Sequence, residues 1–109
     1  MLAYPNIFAE TSCISVMEAM AAGCRIVTTQ LGALPETAAG FAELISTAQS
    51  EQSYIEQFSD RAVSVLSQMT APSIESAAVL LRNQVEHIRQ TCTWTLRATQ
   101  WTDWLASLK

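Results

Sequence analysis

The sequence predicts an α/β chain, a small parallel sheet followed by three helices, and three observations lead there. All three glycines (Gly23, Gly32 and Gly40) fall within the first forty residues, where short apolar runs alternate with turns. The run Arg25-Ile26-Val27-Thr28-Thr29 is β-branched and continuous rather than alternating, the pattern of a strand buried on both faces of a parallel sheet. From Phe41 onward there is no glycine and a single proline, Pro72, so the remainder reads as helices with short joints.

Taken in order, Leu2-Ala3-Tyr4 is a short apolar strand, and a polar loop follows it. The Ala-rich run from Ile14 to Ala22 is a helix that stops at Gly23. Arg25–Thr29 forms the second strand. Gln30 to Leu34 turns around Gly32, Pro35 suits the first turn of a short helix, and Gly40 ends that helix before a third strand over Ala42–Ile45. Residues 1–46 are therefore expected to run β-α-β-α-β, and residues 47–109 to be helical. Tyr54, Phe58, Ala62, Val65 or Leu66, and Met69 recur at helical spacing, as do Ile74, Ala78, Leu81, Val85 and Ile88 after a break at Pro72. Thr93 is placed to cap a third helix, on which Trp94, Arg97 or Ala98, Trp101, Leu105 and Leu108 share one face with Trp104 beside it.

Length and composition narrow the function classes. With 109 residues the chain has room for one core, and at 50% hydrophobic and 15% charged, against about 25% charged in an average globular chain, it is a poor match for disorder or a coiled coil. The net charge of −4 argues against nucleic acid as the main partner. Residues 1–54 hold Glu10, Glu18, Glu36, Glu43 and Glu51 against Arg25 alone, so the acidity is N-terminal. No apolar run approaches the roughly 20 residues of a membrane span, and the start lacks the pattern of a signal peptide. Cys13, Cys24 and Cys92 are odd in number and match no zinc spacing, which points to reduced thiols, a cytoplasmic chain and no metal.

The stretch richest in chemistry is Tyr4 to Thr37. Glu10 and Glu18 are separated by seven residues, with Thr11-Ser12-Cys13 at the start of the intervening helix. If Thr11 or Ser12 caps that helix, the N–H groups of Cys13, Ile14 and Ser15 point out of its positive end, where an anion can dock. Glu18, one turn further along the same side, is then placed to accept two hydrogen bonds from a vicinal diol, and Glu10 to hold another hydroxyl. That arrangement suits a nucleotide sugar. The plainer alternative, that both are solvated acids, stays open on the residue pattern alone.

The run ETSCISVMEAMAAGCRIVTT, from Glu10 to Thr29, resembles the Glu-x7-Glu segment of retaining GT-B glycosyltransferases of the group 1 (family 4) type. GALPET, from Gly32 to Thr37, is similar to that family's Gly-Gly-x-Pro-Glu turn, and TWTLRATQWTDWL, from Thr93 to Leu105, to its final helix. The resemblance implies a partial Rossmann-like sheet, the C-terminal donor-binding part of a GT-B enzyme that transfers a sugar from a nucleotide diphosphate donor to an acceptor hydroxyl with retention. It implies no cofactor besides that donor substrate and no metal. Glu10 would contact the donor sugar as the catalytic Glu, and Glu18 the ribose. The backbone of Ser12, Cys13, Ile14 and Ser15 would hold sugar and phosphate oxygens, with Gly32 and Glu36 in support.

Two departures from the family stand out. Its Gly-Phe-Gly after the first Glu is Thr11-Ser12-Cys13 here, which reshapes the sugar pocket. Nothing in the chain matches the family's acceptor-binding N-terminal domain or its upstream Arg/Lys pair. The chain is therefore expected to be a fragment, inactive alone, with weak or absent donor binding for want of a base near the helix start. Self-association through an unpaired sheet edge or the tryptophan helix is expected as well. A nucleotide-sugar 2-epimerase on the same architecture, or a non-catalytic binding or assembly module, are the rival readings. His87 reads as a surface helix residue far along the chain from the motif. Cys13 lacks a histidine within reach by sequence, and the tryptophan stripe reads as a packing face rather than a carbohydrate platform.

Overall fold

The computed structural model describes residues 1–70 and 74–108. Pro72, the expected break between helices, lies outside them. The order is β1 (Leu2–Tyr4), α1 (Ile14–Ala21), β2 (Ile26–Thr29), α2 (Leu34–Ala38), β3 (Glu43–Ile45), α3 (Glu51–Gln68), α4 (Ile74–Thr91) and α5 (Trp94–Ser107). The three strands form one parallel sheet in the order β1-β2-β3, with Leu2 opposite Ile26 and Thr29 opposite Ile45. Each parallel pair is joined through a helix, as parallel strands require.

Why β2 reads as an unbroken apolar run is visible in the core, where all four of its residues are buried. Ile26 belongs to a cluster with Cys13, Val16, Met20, Leu34 and Ile88, drawn from α1, α2, α4 and the turn before α1. Val27, its neighbour, joins Ile45, Phe58 and Val65 in a second cluster under α3. Successive side chains of a strand point to opposite faces, so helices cover both sides of the sheet. The Thr28 hydroxyl donates to the Tyr4 carbonyl at 3.0 Å.

Polar contacts tie the elements together at two places. Gln84, fully buried on α4, donates from Nε2 to the carbonyls of Met20 and Cys24, both at 3.0 Å, and so fastens α4 to the end of α1. Arg25, only 7% exposed, pairs with Glu43 at 3.1 Å, and Glu43 pairs in turn with Arg61 at 3.3 Å. The sole base of residues 1–54 is thus committed to an acid at the amino end of the sheet.

Two expectations need correcting. The first helix begins at Ile14 with Cys13 as its N-cap, φ −105° and ψ 93°, and no side chain caps it. Cys13 is pulled inward as a core residue, which fixes the helix start one or two residues later than a Thr11 or Ser12 cap. The second correction concerns α5. Thr93 caps it through a hydrogen bond from the Leu96 N–H at 3.3 Å, yet α5 buries no residue. Trp94, Trp101 and Trp104 are 83%, 59% and 53% exposed, so the stripe is not a packing face within this chain. The radius of gyration, 16.2 Å, exceeds the roughly 13 Å of a compact chain of this length. The accessible surface, 7057 Å², exceeds the usual value by on the order of 1,000 Å². Among the described residues no helix is long and apolar enough to cross a membrane.

Candidate functional site

The loops after β1 and β2 meet at the carboxyl end of the sheet. Asn6, buried, donates its N–H to the Tyr4 carbonyl at 2.9 Å and accepts from the Phe8 N–H at 2.9 Å, which folds the chain back beyond Pro5. The fold brings Glu10 home: its Oε1 accepts from the Tyr4 hydroxyl, and from Asn6 Nδ2 at 3.2 Å. Its carbonyl accepts from the Ala33 N–H at 2.8 Å. Gly32, at φ +56°, lies so close that a Cβ would stand 2.6 Å from both the nitrogen and the oxygen of Glu10. A side chain there is excluded by space and by backbone conformation together. The Glu10 carboxylate raises the Tyr4 phenol to about 12, with desolvation adding to the effect. Burial pushes the Cys13 thiol up, opposed by the Val16 backbone N–H and reinforced by Glu10. A raised pKa leaves less thiolate at neutral pH, which argues against a nucleophilic Cys13.

The other candidate residues border two adjoining grooves. One, of about 450 Å³, runs between α1 and α5 and is lined by Ser12, Ile14 and Glu18 from the α1 side and by Trp94, Arg97 and Trp101 from α5. The other, about 310 Å³, contains Ser12, Glu36, His87 and Arg97. Ser12 and Arg97 border both. The structure therefore brings Ser12, Ile14, Glu18 and Glu36 around two connected concavities. Glu10, Cys13 and Ser15 line neither groove, Cys13 being buried in the core, and Gly32 sits against the Glu10 backbone.

Sequence reasoning missed the α5 side of this site. No base was expected near the start of α1, and Arg97 is one. It reaches there because α4 packs against α1 and Thr93 turns the chain at once into α5. Arg97 also donates to the Thr91 carbonyl at 2.9 Å and to Gln100 Oε1 at 2.6 Å, which holds the guanidinium beside the end of α4. His87, distant in sequence, lies in the second groove, its ring 5.5 Å from that of Phe41. The available signal was the shared face of Trp94, Arg97 or Ala98, and Trp101; what it faced was not written locally.

No family model, no curated protein and no solved structure matches the chain. Fold and site define an α/β chain with a carboxylate pinned at the carboxyl end of a parallel sheet and an acid-, arginine- and tryptophan-lined groove beside it. Among the described residues no three His, Cys, Asp or Glu side chains cluster as a metal site would need.

Proposed function

We propose that the chain is the donor-binding part of a nucleotide-sugar-dependent glycosyltransferase, with the Rossmann-like sheet of a GT-B C-terminal domain and transfer that retains configuration. The observation that supports it most is the groove beside α1, where Ser12, Ile14 and Glu18 line one concavity of ligand size. Ligands of open parallel sheets bind beyond the carboxyl ends of the strands, and the loop carrying Glu10 follows β1 at that end. In this reading Glu18 accepts the ribose diol, and the amides of Ser12, Cys13, Ile14 and Ser15 hold sugar and phosphate oxygens. Glu10 contacts the transferred sugar, its orientation set by Tyr4 and Asn6, while Gly32 and Glu36 support the loop. Catalysis is by positioning and by stabilising the departing diphosphate. In the GT-B reading a second domain holds the acceptor, and transfer takes place in the cleft between the two.

The test is nucleoside diphosphate binding by calorimetry. A carboxylate that loses a diol costs about 1.5–3 kcal/mol, so Glu18→Ala should weaken binding by about 10- to 150-fold. Equal affinities for the two proteins would remove the ribose assignment. With an acceptor domain present, Glu10→Gln should lower turnover more than nucleotide affinity.

A further inference from the structure

A diphosphate carries charge that backbone amides alone neutralise weakly, about 0.3–1 kcal/mol per helix end. The described arginines can be assigned one by one. Arg25 and Arg61 are bound to Glu43 at the amino end of the sheet. Arg82 and Arg89 line a separate concavity on the surface of α4. Arg97 alone borders both grooves that contain Ser12, and it lines the larger one together with Glu18. The wall around it carries Trp94 and Trp101, more than half exposed although large and apolar. A nucleoside diphosphate has a planar base, a vicinal diol and an anion, and this groove offers an indole wall, a carboxylate and a guanidinium.

Building on the donor-binding reading, we infer that Arg97 binds the diphosphate of the nucleotide and that Trp94 and Trp101 form the wall against which its base stacks. The final helix is then part of the nucleotide site rather than a trailing element. A guanidinium presents its donors in a planar fork that matches two phosphate oxygens, which a lysine ammonium does not. Stacking on an indole tolerates any base, so the wall favours nucleotides as a class and leaves the choice among bases to other contacts. Arg97 reaches this position already tethered to Thr91 and Gln100, which limits the side-chain freedom lost on binding.

The experiment titrates uridine, adenosine and guanosine diphosphates and inorganic pyrophosphate into the 109-residue chain, by calorimetry and by tryptophan emission. All three tryptophans belong to α5, so their emission reports on that helix alone. The expected result is saturable binding of at least one nucleoside diphosphate with a change in emission. Arg97→Gln should weaken both that ligand and pyrophosphate about tenfold or more, and Arg97→Lys should recover part of the loss. Trp94→Ala should weaken the nucleoside diphosphate about fivefold or more and leave pyrophosphate unchanged. Circular dichroism confirms that the variants fold. Unchanged affinity in Arg97→Gln, or an Arg97→Lys loss equal to it, overturns this inference, and a Glu18→Ala loss in the same series leaves the donor-binding reading standing. Failure of the unaltered chain to bind any of the four probes overturns both.

Discussion

Replacing Gly32 by alanine should loosen the loop that holds Glu10 far more than the residue's exposure implies. An added Cβ would sit 2.6 Å from the nitrogen and the oxygen of Glu10, both backbone atoms that cannot rotate away. The left-handed φ of +56° costs an alanine about 1–2 kcal/mol, of which the reduced freedom of the unfolded chain returns about 0.4–1. Separating the loops to relieve the clash breaks the Ala33 N–H to Glu10 carbonyl bond, worth about 0.5–1.5 kcal/mol, and overpacking adds about 1–3. The expected loss is about 3–4 kcal/mol. Gly40 is the internal control, because its φ is +82° and nothing lies within 4 Å of the position of its Cβ. Gly40→Ala should lose only about 1 kcal/mol. Urea unfolding followed by circular dichroism separates the two, with midpoints about 1–2 M apart if the slope is near the usual value for a chain of this size. Equal losses would refute the close-approach reasoning and leave conformation alone as Gly32's role.

Two further outcomes are expected. In a Tyr54→Phe background, absorbance titration should find Tyr4 ionising near 12, and Glu10→Gln should return it toward 10. Because the folded value is raised, the stabilisation from this bond is complete below pH 10 and is lost between pH 10 and about 12; an unmoved midpoint in Glu10→Gln would show that the carboxylate is not the cause. We propose self-association through the far part of α5, where Leu105 and Leu108 are exposed beside Trp104. Sedimentation should show mass rising with concentration, and Leu105→Ser with Leu108→Ser should shift that rise about tenfold or more, at about 1.4 kcal/mol per factor of ten; identical profiles would exclude the patch.

The β-α-β-α-β order was legible because its signals are local. A β-branched run marks β2, Gly23 follows the end of α1, and Gly40 follows the left-handed Ala39 that ends α2. Thr93 likewise declares the start of α5 by a side-chain cap. The start of α1 was harder to read because burial of Cys13, not capping chemistry, decides it. For Glu10 the sequence left open a solvated acid or a hydroxyl-binding one. Its bonds to Tyr4 and Asn6 arise inside an irregular loop with no periodicity to read. Arg97 lies 79 residues beyond Glu18 and reaches the groove only because α4 docks on α1. Spacing left Arg97 or Ala98 on the tryptophan face, and only tertiary packing decides which of them meets the groove.

The Gln84 stitch bears on how the chain comes apart. Its amide grips two main-chain carbonyls 60 and 64 residues away, so the contact survives any side-chain change at Met20 or Cys24 that leaves the backbone in place. Removing α4 would strip both carbonyls of that partner and withdraw Ile88 from the core in the same step. Such losses arrive together, which makes α4 and the strand-helix-strand layer one cooperative unit despite the long stretch between them. Hydrogen exchange should therefore find the amides of α4 as slow as those of β2, whereas α5, buried nowhere, opens independently and exchanges first.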